Sequence, residues 1–178
     1  MDLEMRNMDT KDKAVDWSKL SVGLNFDEVQ IIRDIITLHN NGEPFELDPT
    51  FSKGSFWKGL EEPKYKFDIE PEREDVLKAD CRGLPFENES INSIMFDPPF
   101  VAGPSHSPGI IRDRFTCYKT VQDLWEFYEE SLDEFYRVLK PEGIIAFKCQ
   151  PVISGSVQYM SHFKVGAYAQ KLGFYILD

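Results

Sequence analysis

Four short apolar runs in this chain finish on or beside an aspartate: "PFELDPTF" at Asp48, "KYKFDIEPE" at Asp68, "VLKADCRGLPF" at Asp80 and "INSIMFDPPF" at Asp97. Gathered at one edge of a sheet, such carboxylates suit a cationic or hydroxyl-rich ligand, and an acid closing a second strand is a common holder of ribose hydroxyls. Asp68 follows Asp48 at about the 20-residue spacing of that arrangement. Acids at strand ends are also ordinary solvated turn residues, but four in register favour a site. The fourth differs in kind, because Pro98, Pro99 and Phe100 follow Asp97 directly. Two prolines fix φ and remove backbone donors, so oxygen acceptors are held rigidly beside an aromatic face.

For these acids to meet, the runs that carry them must be strands of one sheet. The first 16 residues are charged and aperiodic and read as a flexible arm, with a single domain over 17–178 beginning near Trp17. "NFDEVQIIRDIITLHNNG" reads as a helix, with Asn25 or Asp27 as N-cap candidates, Val29, Ile32, Ile35 and Ile36 on one face, and an Asn-Asn-Gly stop. After the four strands comes a Gly/Pro/Ser-rich loop at 101–109. "TVQDLWEFYEESLDEFYRVLKPEG" then carries Val121, Leu124, Trp125, Tyr128, Leu132, Phe135 and Leu139 on one helical stripe, ended by Pro141 and Gly143. "GIIAFKCQ" reads as a strand, "SHFKVGAYAQKLG" as a helix, and "FYILD" as the start of one more strand. Strands alternating with helices imply βα units and a mostly parallel sheet with helices on both faces.

Composition bounds the function. In 178 residues, 42% hydrophobic and 13% aromatic content suffices for a real core. With 20 Lys plus Arg against 31 Asp plus Glu, the formal net charge is −11, so any contact with a polyanion has to be local. Cys81, Cys117 and Cys149 are widely spaced, which suggests neither a disulfide framework nor a zinc site. No apolar run approaches the roughly 20 residues of a membrane span, and the polar start lacks a signal-peptide core. The expectation is a cytoplasmic protein with no membrane partner and no metal.

These features resemble the class I S-adenosylmethionine-dependent methyltransferases, and within them the amino-methyltransferases of nucleic acids, whose signature is Asp, Asn or Ser followed by Pro-Pro and an aromatic. The resemblance covers roughly residues 20 to 178 and is similar above all to small phage-type DNA adenine methylases. In those, a D-x-T-Y/F-x-x-G-x-F-W segment opens the cofactor site, and "LDPTFSKGSFW" matches it. The resemblance implies a Rossmann-like, doubly wound sheet and S-adenosyl-L-methionine as cofactor. Asp48, Thr50, Phe51 and Gly54 would line its methionine end, Asp68 its ribose, and Asp80 with Cys81 its adenine edge. Gly54 stands alone where many relatives carry two or three glycines, which suits a moiety without phosphates.

On the same likeness Asp97, Pro98, Pro99 and Phe100 form the catalytic loop for methyl transfer to an exocyclic amino nitrogen, foremost N6 of adenine in DNA. Asp97 and the Pro98 carbonyl would accept the two N–H groups, and Phe100 would stack on a flipped base. Arg112 and Arg114 are the basic residues of the following loop, suited to phosphates, while Lys148 and Gln150 close the next strand at the same edge as further substrate contacts. Methylation of guanine N2 in RNA, and a cofactor-binding subunit without catalysis, are the alternatives. Folds of this kind usually end in an antiparallel hairpin, and the chain stops at "FYILD" partway through it. That leaves a truncated chain, a strand from elsewhere, or an open edge. No segment is long enough for a separate recognition domain, so a partner chain or a second copy would assist in finding the target.

Overall fold

In the computed structural model, which describes residues 27–102 and 118–177, the first helix begins where Asp27 caps it. The expected arm, the Asn25 cap candidate, and the loop residues Arg112 and Arg114 lie outside the described residues. The Asp27 carboxylate accepts the N–H groups of Val29 at 3.0 Å and Gln30 at 3.3 Å, satisfying two donors that the helix leaves free. Helix α1 (Glu28–His39) ends at Asn40, after which Asn41 and Gly42 take positive φ values of 55° and 75°. These are backbone states that Asn and Gly reach at least cost.

Five parallel strands follow: β1 (Leu47–Asp48), β2 (Tyr65–Asp68), β3 (Leu77–Lys78), β4 (Ile91–Phe96) and β5 (Leu139–Phe147), in the spatial order β3-β2-β1-β4-β5. The molecule is thus α/β, with a five-stranded parallel sheet and helices. The strand order reverses between β1 and β4, the kind of position at which open α/β sheets bind ligands. Side-chain alternation along β4 and β5 divides the core. Ile94, Phe96, Ile145 and Phe147 belong to a cluster with Leu124, Tyr128, Leu132 and Phe135 of α2 (Val121–Val138), whereas Met95, Ile144 and Ala146 join Ile32 and Ile35 of α1 together with Trp57.

Helix α2 opens with a full capping box: Thr120 Oγ1 accepts the Asp123 N–H at 3.0 Å and the Asp123 carboxylate accepts the Thr120 N–H at 3.0 Å. It stops at Val138, earlier than the expected Pro141 and Gly143. Leu139 is already extended at φ −70°, ψ 136° and starts β5, where it pairs with Ile91 of β4, and the chain cannot resume a helix at Lys140 because a proline disfavours helical geometry in the residue before it. Leu139, expected on the helical stripe, is therefore a strand residue. Helix α3 (Ser161–Leu172) packs on α2 through Trp125 Nε1, which donates to Ser161 Oγ at 3.4 Å, and Tyr168, whose hydroxyl donates to Asp133 at 3.0 Å.

Two further differences from expectation concern strands. A small antiparallel hairpin, β6 (Val152–Ser154) and β7 (Val157–Tyr159), lies between β5 and α3. Its turn residues Gly155 and Ser156 have φ values of 57° and 63°, the left-handed pair that matches strand twist. Residues 174–177, the described part of "FYILD", form no strand, since an apolar run becomes one only where a partner edge pairs with it. Beside β5, which among the described residues pairs only with β4, runs an apolar groove of about 930 Å³ lined in part by Ile31, Ile35, Ala146, Val165, Ala169 and Phe174. Among the described residues, no helix is long and apolar enough to cross a membrane.

Candidate active site at the carboxyl edge of the sheet

Because all five strands run the same way, the carboxyl ends of β1, β2, β3 and β4 lie along one edge, and Asp48, Asp68, Asp80 and Asp97 close or follow them. Their environments differ sharply. Asp48 is only 2% exposed. One carboxylate oxygen accepts the Thr50 N–H at 2.8 Å and the Thr50 hydroxyl at 3.3 Å, and the other accepts Trp57 Nε1–H at 2.7 Å. Burial lifts this carboxyl to about 7 against the pull of those donors, and the negative charge of Asp97 adds to the lift. Both oxygens of Asp48 are thus used internally, to hold the turn that follows β1.

That turn runs under α1. Phe51 is buried with Ile32 and Trp57, and the Arg73 guanidinium lies 5.0 Å from its ring centroid, so the ring serves as core under a cation. Gly54 has φ 77°, and a Cβ there would sit 2.7 Å from Phe51 Cε1 and 2.8 Å from an Arg73 guanidinium nitrogen. The glycine is required by left-handed backbone and by contact with the buried ring together. Gly54→Ala is expected to cost about 1–3 kcal/mol, combining backbone strain with overpacking. Urea unfolding measures this, and a loss below a few tenths of a kcal/mol would contradict it.

Asp68 ties the same turn to β2: one of its oxygens accepts the Ser52 N–H at 2.8 Å and the other the Glu70 N–H at 2.8 Å. Each oxygen keeps a second lone pair, and the residue is half-buried, so two further donors can be accepted. Asp80 is held by Arg82, whose guanidinium donates to its two oxygens at 2.9 Å and 2.6 Å and also reaches Glu130 at 2.8 Å. The Arg82 hydrogen bonds keep the Asp80 carboxyl below the usual carboxylate range. The neighbouring Cys81 is buried against Ser131 Oγ at 3.4 Å, and burial pushes its thiol up to about 12, so the side chain is packing and not a nucleophile.

Asp97 follows Phe96, which is fully buried and meets the Phe135 and Phe147 rings edge-on at 4.8 Å and 4.9 Å. That cluster fixes the strand tip. Pro98 is buried, Pro99 and Phe100 are half-buried, and the Pro99 carbonyl accepts the Tyr128 hydroxyl at 3.1 Å, so helix α2 pins the proline pair. The Asp97 side chain keeps 25% exposure, and Lys148 Nζ lies 3.3 Å from its Oδ1. Burial raises the Asp97 carboxyl, with Lys148 opposing the rise and Glu28 assisting it. Lys148 also pairs with Glu28 at the start of α1. Gln150 is exposed on the stretch beyond β5.

The structure therefore joins Asp48, Thr50, Gly54 and Asp68 through one turn, and Asp97 with Lys148, while Asp80 stands with Arg82 and Glu130. Trp57, Tyr128 and Glu28 are additions that strand-end reasoning did not supply. Trp57 stood in the quoted "LDPTFSKGSFW", and an indole beside an acid-rich turn was the available signal; for Glu28 there was none. A polar cavity of about 550 Å³, lined in part by Glu43, Glu46, Glu61, Glu62 and Asn92, sits at the opposite, amino edge of the sheet. Among the described residues, no group of three or more His, Cys, Asp or Glu side chains could hold a metal ion. No protein-family model matches the chain, and comparison with curated proteins found no match.

Proposed function

We propose that the protein transfers a methyl group from S-adenosylmethionine to an exocyclic amino nitrogen of a nucleic-acid base, foremost N6 of adenine in DNA. The observation that carries this reading is the position of Asp97-Pro98-Pro99-Phe100: the motif closes β4 beside the reversal of strand order, on the edge that also bears the β2 and β3 acids. The sharing of the core between α1 on one set of sheet residues and α2 on the alternate set supports a doubly wound, Rossmann-like arrangement.

The residues present fit the cofactor at its ribose. Asp68 has unused acceptor capacity on both oxygens, as a vicinal diol requires. Asp80 would face the adenine edge. Asp48 would act at one remove, holding the turn between Thr50 and Gly54 on which the methionine end would rest. When bound, the cofactor supplies a methyl group made electrophilic by the sulfonium.

What the chain must supply is a better nucleophile, since an aromatic amine's lone pair is delocalised into its ring. Asp97 accepts one N–H and the Pro98 carbonyl the other, drawing the nitrogen toward tetrahedral geometry; the carboxylate stabilises the positive charge that develops there, and the methylated nitrogen then gives up one of its protons to solvent, leaving the neutral secondary amine. Tyr128 keeps the proline pair in place through the Pro99 carbonyl. Phe100 offers the base a face.

Calorimetric titration with S-adenosylmethionine, followed by transfer of a labelled methyl group to DNA and to RNA, tests the reading. Saturable binding and N6-methyladenine in DNA are expected. Label in guanine of RNA alone would select the RNA reading, binding without transfer a cofactor-binding subunit, and absence of binding would end all three.

A further inference from the structure

We propose that Lys148, braced by Glu28, is a positioning residue for the Asp97 carboxylate and not a contact for substrate phosphate. The inference rests on the amine-accepting role given to Asp97 above, but its geometry is independent of any ligand. The Lys148 backbone N–H donates to the Phe96 carbonyl at 2.9 Å, which fixes the lysine beside the strand tip that bears Asp97. Its ammonium lies 3.3 Å from Asp97 Oδ1, bonds Glu28 Oε1, and sits 5.3 Å from the Phe56 ring centroid. Three elements thus converge on one nitrogen: β4 through Asp97, the first residue of α1 through Glu28, and the turn after β1 through Phe56. A lysine meant for a flexible polyanion would gain nothing from such anchoring, since its charge is already shared between two carboxylates.

The bridge answers a problem the site creates. Asp97 must be ionised to accept an N–H and to stabilise cationic nitrogen, yet it is largely buried and near other acids. Among the described residues, the titratable groups facing it are Lys148 beyond β5, Glu28 of α1, Asp48 of β1 and Tyr128 of α2. Lys148 is the one cation among them. Removing it leaves Asp97 with burial and two acids, whereas removing the Glu28 charge leaves Lys148 to serve Asp97 alone.

Carboxyl-carbon NMR titration of the full chain separates the possibilities without any substrate. In Lys148→Met the Asp97 titration midpoint is expected to move to higher pH, and in Glu28→Gln to lower pH. Both side chains are substantially exposed, and Glu28→Gln keeps the test available if Lys148→Met fails to fold. An Asp97 midpoint unmoved in both folded variants, or moved the opposite way in either, would overturn the proposal. Where methyl transfer occurs, the acid limb of its pH profile should follow the same shifts. If the wild-type chain binds no cofactor and transfers nothing, the functional reading fails while the titration still decides the role of Lys148.

Discussion

Asp97→Ala is expected to lower the rate of methyl transfer by roughly 10²–10³-fold, the scale seen when one preorganised electrostatic partner of a transition state is removed. On the proposed function its carboxylate would be the acceptor that strengthens as positive charge grows on nitrogen, so the loss should fall on kcat more than on KM. Cofactor affinity should stay within a few fold, because the ribose is assigned to Asp68. Stability should not fall either: burial already penalises this carboxylate, and the Phe96 cluster that holds the strand tip remains. Asp97→Asn keeps one acceptor oxygen and should lose less than the alanine variant. Labelled-methyl transfer with thermal unfolding as control measures all of this, and undiminished transfer by Asp97→Ala would remove the catalytic assignment.

The second large effect is on stability and depends on pH. Asp48 has its folded-state carboxyl at about 7 against an ordinary 3.8. Between those values the folded protein holds a proton that the unfolded chain has lost, so stability from this group falls as pH rises from about 4 and levels off above about 7. By linkage the fall is on the order of 4 kcal/mol. Trp57→Phe removes the indole donor that favours the ionised form. The folded carboxyl should then titrate higher still, and the decline should continue past the pH at which it stops in the wild type. The packing loss is the same at every pH. Near pH 5 the lost hydrogen bond is neutral and worth about 0.5–1.5 kcal/mol, whereas near pH 9 it involves a buried charge and is worth about 1.5–3 kcal/mol. Urea unfolding of both proteins at the two pH values decides it, and an equal cost at both would show that the indole does not serve the carboxylate.

The strand ends were legible because buried parallel strands read as apolar runs that must stop at a turn, which is why Asp48, Asp68 and Asp97 could be placed without coordinates. Strand lengths were not, since a strand extends only as far as its neighbour pairs: β1 and β3 have two residues each, and Asp80 follows β3 in a turn. The β6 and β7 hairpin carried a readable sign, Gly155-Ser156 with Val152 and Ile153 shortly before it and Val157 directly after, which the longer apolar runs elsewhere overshadowed. "FYILD" misled for the opposite reason, having strand composition although residues 174–177 pair with no described strand. At the site, residue types indicated acids and an aromatic but not how they are held. That Asp48 is spent on Trp57 and Thr50, or that Glu28 meets Lys148 from the far end of the described chain, depends on tertiary placement that no periodicity encodes.

The two-residue β1 at the middle of the sheet has a kinetic consequence. Leu47 pairs with Tyr65 on one side and Ile94 on the other, so its place is complete only when segments distant in sequence have found each other. Loop closure must precede any reward from those pairings, which slows folding relative to a helical protein of this size. The aspartates on either side of the reversal point, Asp48 and Asp97, therefore come together only when β1 joins β4, and a nascent chain that has not yet exposed residues 91–96 cannot bring the two carboxyls side by side.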